Sequence, residues 1–320
     1  MWKIAIGLFI GVLLLAPEAN AQFARQEVLG FESATMSEGD FLTGKQGTPV
    51  TLAGYLRLPK PNEKSPVVVL FHGAGGLLGE AGMINEWSRV LNEAGIATFV
   101  VDSFAGRGVV TLADSARVSP VSRVVDAYRA LDLLSKHPMI DANKIAVMGF
   151  SHGGSAALYS GLVRFQRLHG NPDVRYAAHI SVYGLCVTTY HEDEVLDQRP
   201  VLALHGSADD WVPVAACRDY AARLGKAGTN VRLIEYPGAY HLFDSPDRRE
   251  QVKLPQALTL RNCRFIEAEG GSIINAVTKQ PMSMNDPCVE KGVTLQYNEA
   301  AARKAHDDVK AFLKDVFDQK

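Results

Sequence analysis

The sequence predicts an α/β fold, a mostly parallel central sheet with helices on both faces. Short apolar runs recur through the middle of the chain, and segments with helical spacing separate them. A third observation concerns the stretch GFSHGG at 149–154, which follows the apolar run IAVM. It falls where such a sheet hands over from strand to helix.

The runs cover residues 67–71, 97–101, 145–148, 180–183, 201–204 and 231–236. They are rich in Val and Ile and apolar on both faces, as buried parallel strands are. Between the first two, Ile84, Trp87, Val90, Leu91 and Ala94 recur at helical spacing, and Gly95 supplies the C-terminal cap. A second helix carries Val121, Val124, Val125, Tyr128, Leu131 and Leu134 and stops before Pro138. This alternation implies a parallel sheet covered on both sides. Upstream, residues 50–58 alternate and read as an antiparallel edge strand, followed by a polar turn at 60–66. Residues 245–296 are polar, without clear periodicity, and read as an irregular excursion. A closing helix puts Ala305, Val309, Phe312, Leu313, Val316 and Phe317 on one face. Neither a repeat nor a linker is visible, so residues 22–320 are expected to form a single domain.

The chain has 320 residues, 47% hydrophobic, with a formal net charge of -2. That balance offers no electrostatic footprint for nucleic acid or an anionic membrane. Residues 1–21 read as a signal peptide: Lys3 is the positive flank, 4–16 is apolar, and Ala19-Asn20-Ala21 precedes cleavage before Gln22. The apolar run stops at Pro17-Glu18, short of the roughly 20 residues a spanning helix needs. A secreted or periplasmic protein without stable membrane insertion is expected. Cys186, Cys217, Cys263 and Cys288 all lie in the exported part, and their even number suggests disulfides in an oxidising compartment. No C-x-x-C pair or nearby His suggests zinc, and neither metal nor cofactor is expected.

GxSxG alone is a common pattern. Between the strand KIAVMGF and the helical GGSAALYSGL it becomes a nucleophile elbow, where glycines let strand and helix approach and Ser151 takes a strained backbone. A serine hydroxyl needs a base, and the base an orienting carboxylate. HGSADDWVP after 201–204 offers Asp209 and Asp210; PGAYHLFD after 231–236 offers His241. One aspartate turns to His241 and the other faces solvent or caps the helix starting near Val214. For an oxyanion hole, the N–H of His152 is one donor, and the glycine-rich loop HGAGG at 72–76 supplies Ala74, with Gly75 next. That loop lacks the Lys-Ser/Thr ending of a P-loop and the spacing of a dinucleotide site.

With these pieces in place the sequence resembles the dienelactone hydrolase family of the α/β-hydrolase superfamily. The resemblance rests on FHGAGG, VVDSFAGRG, IDANKIAVMGFSHGG, HGSADDWVP, YPGAYHLFD and YNEAAARKAHDDVKAFL, spanning most of the chain from about residue 50. It implies an eight-stranded α/β-hydrolase sheet and Asp209 as the triad acid, in the G-x-x-D pattern beginning at Gly206. It also implies the pairing Cys186–Cys217 and, with it, Cys263–Cys288, which would staple the 245–296 excursion. The namesake enzymes carry a cysteine nucleophile and are intracellular, whereas Ser151 and the leader place this chain with an exported serine branch.

Three readings follow. The first is a secreted serine hydrolase of carboxylic esters, taking a small-molecule or polymer ester and no cofactor. A prolyl-oligopeptidase-like peptidase or amidase shares the elbow and the HGSADD pattern. A non-catalytic binding protein on the same fold is the third. Arg107, in DSFAGRG, is a possible substrate-carboxylate ligand or a structural tie. Trp211 is a possible pocket wall, and the run His191-Glu192-Asp193-Glu194 reads as a solvated loop.

Overall fold

Apolar runs that are buried on both faces can satisfy their backbone only by pairing side by side. The computed structural model describes residues 23–319; the expected leader and its cleavage point lie outside the described residues. One sheet holds β1 (Arg25–Thr35), β2 (Thr48–Leu58), β3 (Ser65–Phe71), β4 (Ala97–Asp102), β5 (Ile140–Phe150), β6 (Ala178–Val182), β7 (Val201–Gly206) and β8 (Val231–Tyr236). Their spatial order is β1-β2-β4-β3-β5-β6-β7-β8. Pairing is parallel from β4 to β8 and antiparallel for β1 with β2 and β2 with β4. All six apolar runs fall on the parallel strands.

One boundary differs from expectation. Residues 50–58 lie in an antiparallel strand, but β1 covers it in register from Arg25↔Leu58 to Thr35↔Thr48, so β2 is not the edge. Most of β1 is exposed or half-buried. An outer strand has little apolar surface to bury, and its sequence therefore shows no clean alternation.

Successive residues of a strand point to opposite faces, and both faces are filled. On one, Val68 and Leu70 meet Met83, Trp87 and Leu91 of α1 (Ala81–Glu93) and Val309 and Leu313 of the closing helix (Glu299–Asp318). On the other, Val67, Val69 and Phe71 meet Ala127, Leu131 and Leu134 of α2 (Val124–Ser135). Each such side chain contributes about 1.5–3 kcal/mol by leaving water. Gly95, at φ 79°, ends α1 as its spacing predicts.

The 245–296 segment is more ordered than its sequence suggests. Val252–Thr259 pairs antiparallel with Glu290–Leu295 as a two-stranded arm, with a register shift between Leu254 and Leu258. Within it, Phe265–Glu267 pairs with Ile273–Asn275 and, in parallel, with Thr188–Thr189. Pro255 and the solvent-facing side of the arm hide the strand period. Cys263 and Cys288 are bonded inside this segment, and Cys186 and Cys217 are bonded between the loop after β6 and α3 (Val214–Lys226). Arg164 grips Glu267 with two 2.6 Å hydrogen bonds, tying the segment to the body. The 191–194 run is not a simple solvated loop: Asp193 is buried and accepts twice from Arg223, which also reaches Glu194.

Closing a loop with a sequence separation of 31 residues restricts the unfolded chain. The double substitution Cys186→Ser/Cys217→Ser is expected to cost about 3–4 kcal/mol, read as a lower midpoint in guanidinium unfolding. An unchanged midpoint would refute that cross-link's role.

Candidate active site

The site begins with backbone geometry at the end of β5. Ser151 sits at φ 50°, ψ −115°, and helix His152–Tyr159 starts with the next residue. A Cβ on Gly149 would lie 2.0 Å from the Gly153 carbonyl oxygen, and one on Gly153 would lie 2.3 Å from that of Phe71. The elbow therefore needs both glycines, and it lifts Ser151 to the carboxyl end of the sheet.

Three loops converge there. His241, after β8, brings Nε2 within 3.1 Å of Ser151 Oγ, and its Nδ1 lies 2.7 Å from Asp209 Oδ2 in the loop after β7. With Nδ1–H donating to the carboxylate, Nε2 is left to accept the serine hydroxyl proton. Asp209 Oδ1 accepts from the amides of Trp211 at 3.0 Å and Val212 at 2.8 Å, so the carboxylate has little freedom to turn. All three residues are buried, and Ser151 and His241 border the cavity.

Asp210 takes a different job from either one expected. Its carboxylate accepts from Thr294 N–H at 2.7 Å and Thr294 Oγ1 at 2.9 Å, pinning the arm rather than facing solvent or capping a helix. Trp211 lines the cavity, its ring centroid 5.3 Å from that of His241, and its Nε1–H donates to the Leu258 carbonyl of the arm.

In the loop after β3, Glu80 decides which amides are free. Its buried carboxylate accepts from Gly73 N–H at 2.6 Å and from Gly75 N–H at 3.0 Å. Burial pushes the Glu80 carboxyl above its ordinary value, and these two amides pull it part of the way back. Gly75 is thus corrected as an oxyanion donor, because its N–H is already committed. Ala74 and His152 both border the cavity, and His152 is the first residue of its helix, where N–H groups have no intrahelical acceptor. Glu80 was not read from the sequence; its only signal there is an acid closing a glycine-rich loop. Asp244 was missed as well. Its buried carboxylate accepts from Trp87 Nε1–H and Tyr183 O–H, both at 2.7 Å, and so anchors the His241 loop.

Arg107 lies outside the cavity lining. It forms a bidentate pair with Asp126 at 2.8 and 2.9 Å and donates to Ser103 O, Ala34 O and Thr35 Oγ1. The substrate-ligand reading is corrected, since every donor direction is already engaged within the fold. No group of three or more His, Cys, Asp or Glu among the described residues is placed to hold a metal.

A cavity of about 370 Å³ opens over Ser151 and His241. Such an arrangement can deliver an activated hydroxyl to a carbonyl carbon while two amides meet its oxygen.

A family model described as the dienelactone hydrolase family matches residues 52–317. Acylamino-acid-releasing enzyme 1 of Oryza sativa subsp. japonica is 28% identical over 156 residues, 38% of this chain but only 20% of that protein. Protein usf of Aquifex pyrophilus is 25% identical over 213 residues, covering 64% of this chain and 87% of that one. This chain therefore spans about a fifth of the rice enzyme's length. Among solved structures, a putative dienelactone hydrolase from Klebsiella pneumoniae subsp. pneumoniae has a TM-score of 0.56 at 16% identity, covering 90% of this chain and 98% of that one. A dienelactone hydrolase-like promiscuous phosphotriesterase from metagenomic libraries gives 0.56 at 17%, covering 91% and 98%. These two structures share the α/β-hydrolase fold seen here.

Two measurements check this electrostatic picture. Arg107→Ala removes the guanidinium hydrogen-bonded to the buried Asp126 carboxylate, so a loss of about 3–5 kcal/mol in urea unfolding is expected; a substrate ligand would leave stability intact. Burial, joined by the charges of Arg123 and His241, holds the His152 imidazole down at about 3. Between that value and the ordinary histidine value of about 6.5, the unfolded chain binds the extra proton. Stability is then fully present above that window and lost as pH falls through it. His152→Gln is expected to flatten this slope by about 1.4 kcal/mol per pH unit, measured by urea unfolding across the window.

Proposed function

The chain belongs to the dienelactone hydrolase family, and on that premise we propose a hydrolase of ester bonds, a serine carboxylesterase working through Ser151, His241 and Asp209. One observation carries the reading: the unbroken chain from Ser151 Oγ through His241 to Asp209, at 3.1 and 2.7 Å, under an open cavity. Ser151 Oγ attacks the ester carbonyl as His241 Nε2 takes its proton. The amides of Ala74 and His152 hold the oxyanion, and Glu80 keeps the first of these loops in place. His241 then protonates the leaving alcohol, and Asp209 stabilises the imidazolium meanwhile. Water, activated by the same imidazole, releases the acid and restores Ser151.

Residues 22–320 are read as one domain, exported after cleavage following Ala21. Two disulfides fit an oxidising compartment, and no helix among the described residues is long and apolar enough to cross a membrane. An amidase reading draws on the 156-residue similarity to the acylamino-acid-releasing enzyme.

The test is direct. A fluorophosphonate probe is expected to label Ser151, and p-nitrophenyl esters are expected to turn over faster than peptide amides. Ser151→Ala is expected to lose about 10⁴-fold or more in kcat. Absence of both labelling and turnover refutes the reading, and faster amide cleavage replaces it with the amidase. Glu80→Gln turns an N–H₂ towards one of two amide donors. A drop of about 10- to 100-fold in kcat with little change in KM is expected, a smaller effect than deleting an oxyanion donor outright. A change confined to KM would place Glu80 in substrate binding instead.

A further inference from the structure

We propose that the site selects esters with a long apolar acyl chain, one that fills the cavity and then runs out over its mouth. This rests on the esterase reading above. Seven leucines line the cavity that holds Ser151 and His241. Three of its lining residues are also large apolar side chains open to solvent: Leu112 at 50%, Leu258 at 40% and Met284 at 51%. Exposed large apolar side chains are unremarkable when scattered. Here three line one cavity and are also open to solvent, so a chain too long for about 370 Å³ still finds apolar side chains as it leaves.

The wall is also built to hold its shape. Leu258 stands in the arm strand, with its carbonyl fixed by Trp211 Nε1–H at 3.0 Å. Thr259 Oγ1–H donates to the Trp211 carbonyl at 2.7 Å. Met284 lies four residues before Cys288, whose bond to Cys263 joins the two halves of the arm segment. A wall fixed by covalent and hydrogen bonds presents preorganised surface, which costs little ordering when a flexible chain binds. The acyl side is the one assigned, because the acyl group occupies the site in both half-reactions, bonded to Ser151 between them, while the alcohol departs after the first.

One charged group argues for a rival substrate. Arg248 also lines the cavity, and its Nε is buried without a hydrogen-bond partner among the described residues. It is a single half-buried cation, Glu80 also lines the cavity as an opposite charge, and most of the remaining lining is apolar, so the observations favour the hydrocarbon chain, and the experiment includes the acidic alternative.

The experiment measures kcat/KM for p-nitrophenyl acetate through dodecanoate, below their critical micelle concentrations. The same enzyme is tested on acetates of alcohols of matching length and on acyl esters ending in a carboxylate. A small fluorophosphonate reports Ser151 reactivity in parallel. The expected rise is about fourfold per methylene while the chain is enclosed, then shallower but still positive once it reaches the mouth. Leu258→Asp/Met284→Asp is expected to lower the dodecanoate-to-butyrate ratio at least tenfold while the probe still labels Ser151. A flat acyl series with Ser151 labelled overturns the chain assignment alone. So does a rise confined to the alcohol series, or a preference for carboxylate-ended esters. No labelling and no turnover overturns the esterase reading and this assignment with it.

Discussion

The backbone of Ser151 is the constraint on which the site depends. A non-glycine residue at φ 50°, ψ −115° is strained, by about 1–3 kcal/mol in general. It persists because β5 and the following helix are locked to their neighbours on every side. Ser151 N–H donates to the Val182 carbonyl of β6 at 2.9 Å, and Gly153 and Gly154 press against backbone of β3 and β6. The same turn therefore fixes two things at once. It aims the serine hydroxyl outward, and it begins a helix whose first N–H, on His152, has no acceptor in its own helix. The proposed nucleophile and the proposed oxyanion donor share one piece of rigid geometry.

The remaining loops are held by buried carboxylates, each with a separate task. Glu80 gathers the amides of Gly73 and Gly75, Asp209 those of Trp211 and Val212, and Asp244 the Trp87 and Tyr183 donors. Burial raises the carboxyls of Glu80 and Asp244, and their hydrogen-bond donors oppose the rise. Acids placed this way do more than tie loops. In the proposed reaction His241 becomes a cation for part of each cycle, and Asp209 sits 2.7 Å from its Nδ1. A carboxylate already held by backbone N–H groups need not reorient when that charge appears, which is how a preorganised site lowers a barrier.

Much of this was legible in the sequence because the strongest signals are local. Six apolar runs mark six parallel strands, since burial on both faces leaves no room for polar residues. The order of Ser151, Asp209 and His241 along the chain follows from each lying just past a strand end. What was illegible depends on contacts between distant segments. β1 and the arm expose much of their surface, so no apolar period announces them. The roles of Asp209 and Asp210 look interchangeable as neighbours in sequence, and only the approach of Thr294 separates them. Glu80 and Asp244 carry no motif of their own, because what they bind is backbone or a remote side chain. For Arg107 the structural tie was among the sequence readings, but not its partner: Asp126 sits on a helix that the loop sequence does not mention.

The pair Asp209 and Asp210 joins the chemistry to the specificity. One carboxylate holds His241, the proposed base, and the next holds Thr294 in the arm strand that ends at cavity-lining Leu295. Trp211, the following residue, spans the two by lining the cavity and donating to Leu258. A shift of the arm is thus felt within one residue of Asp209, the proposed triad acid, with no flexible linker between to absorb it. Changes to the arm that reshape the cavity must keep these three residues in place or lose His241's alignment. Variation in substrate range is therefore easiest at side chains that only face the cavity, such as Leu112, Leu258 and Met284, and hardest at the backbone positions that hold the arm against the acid loop.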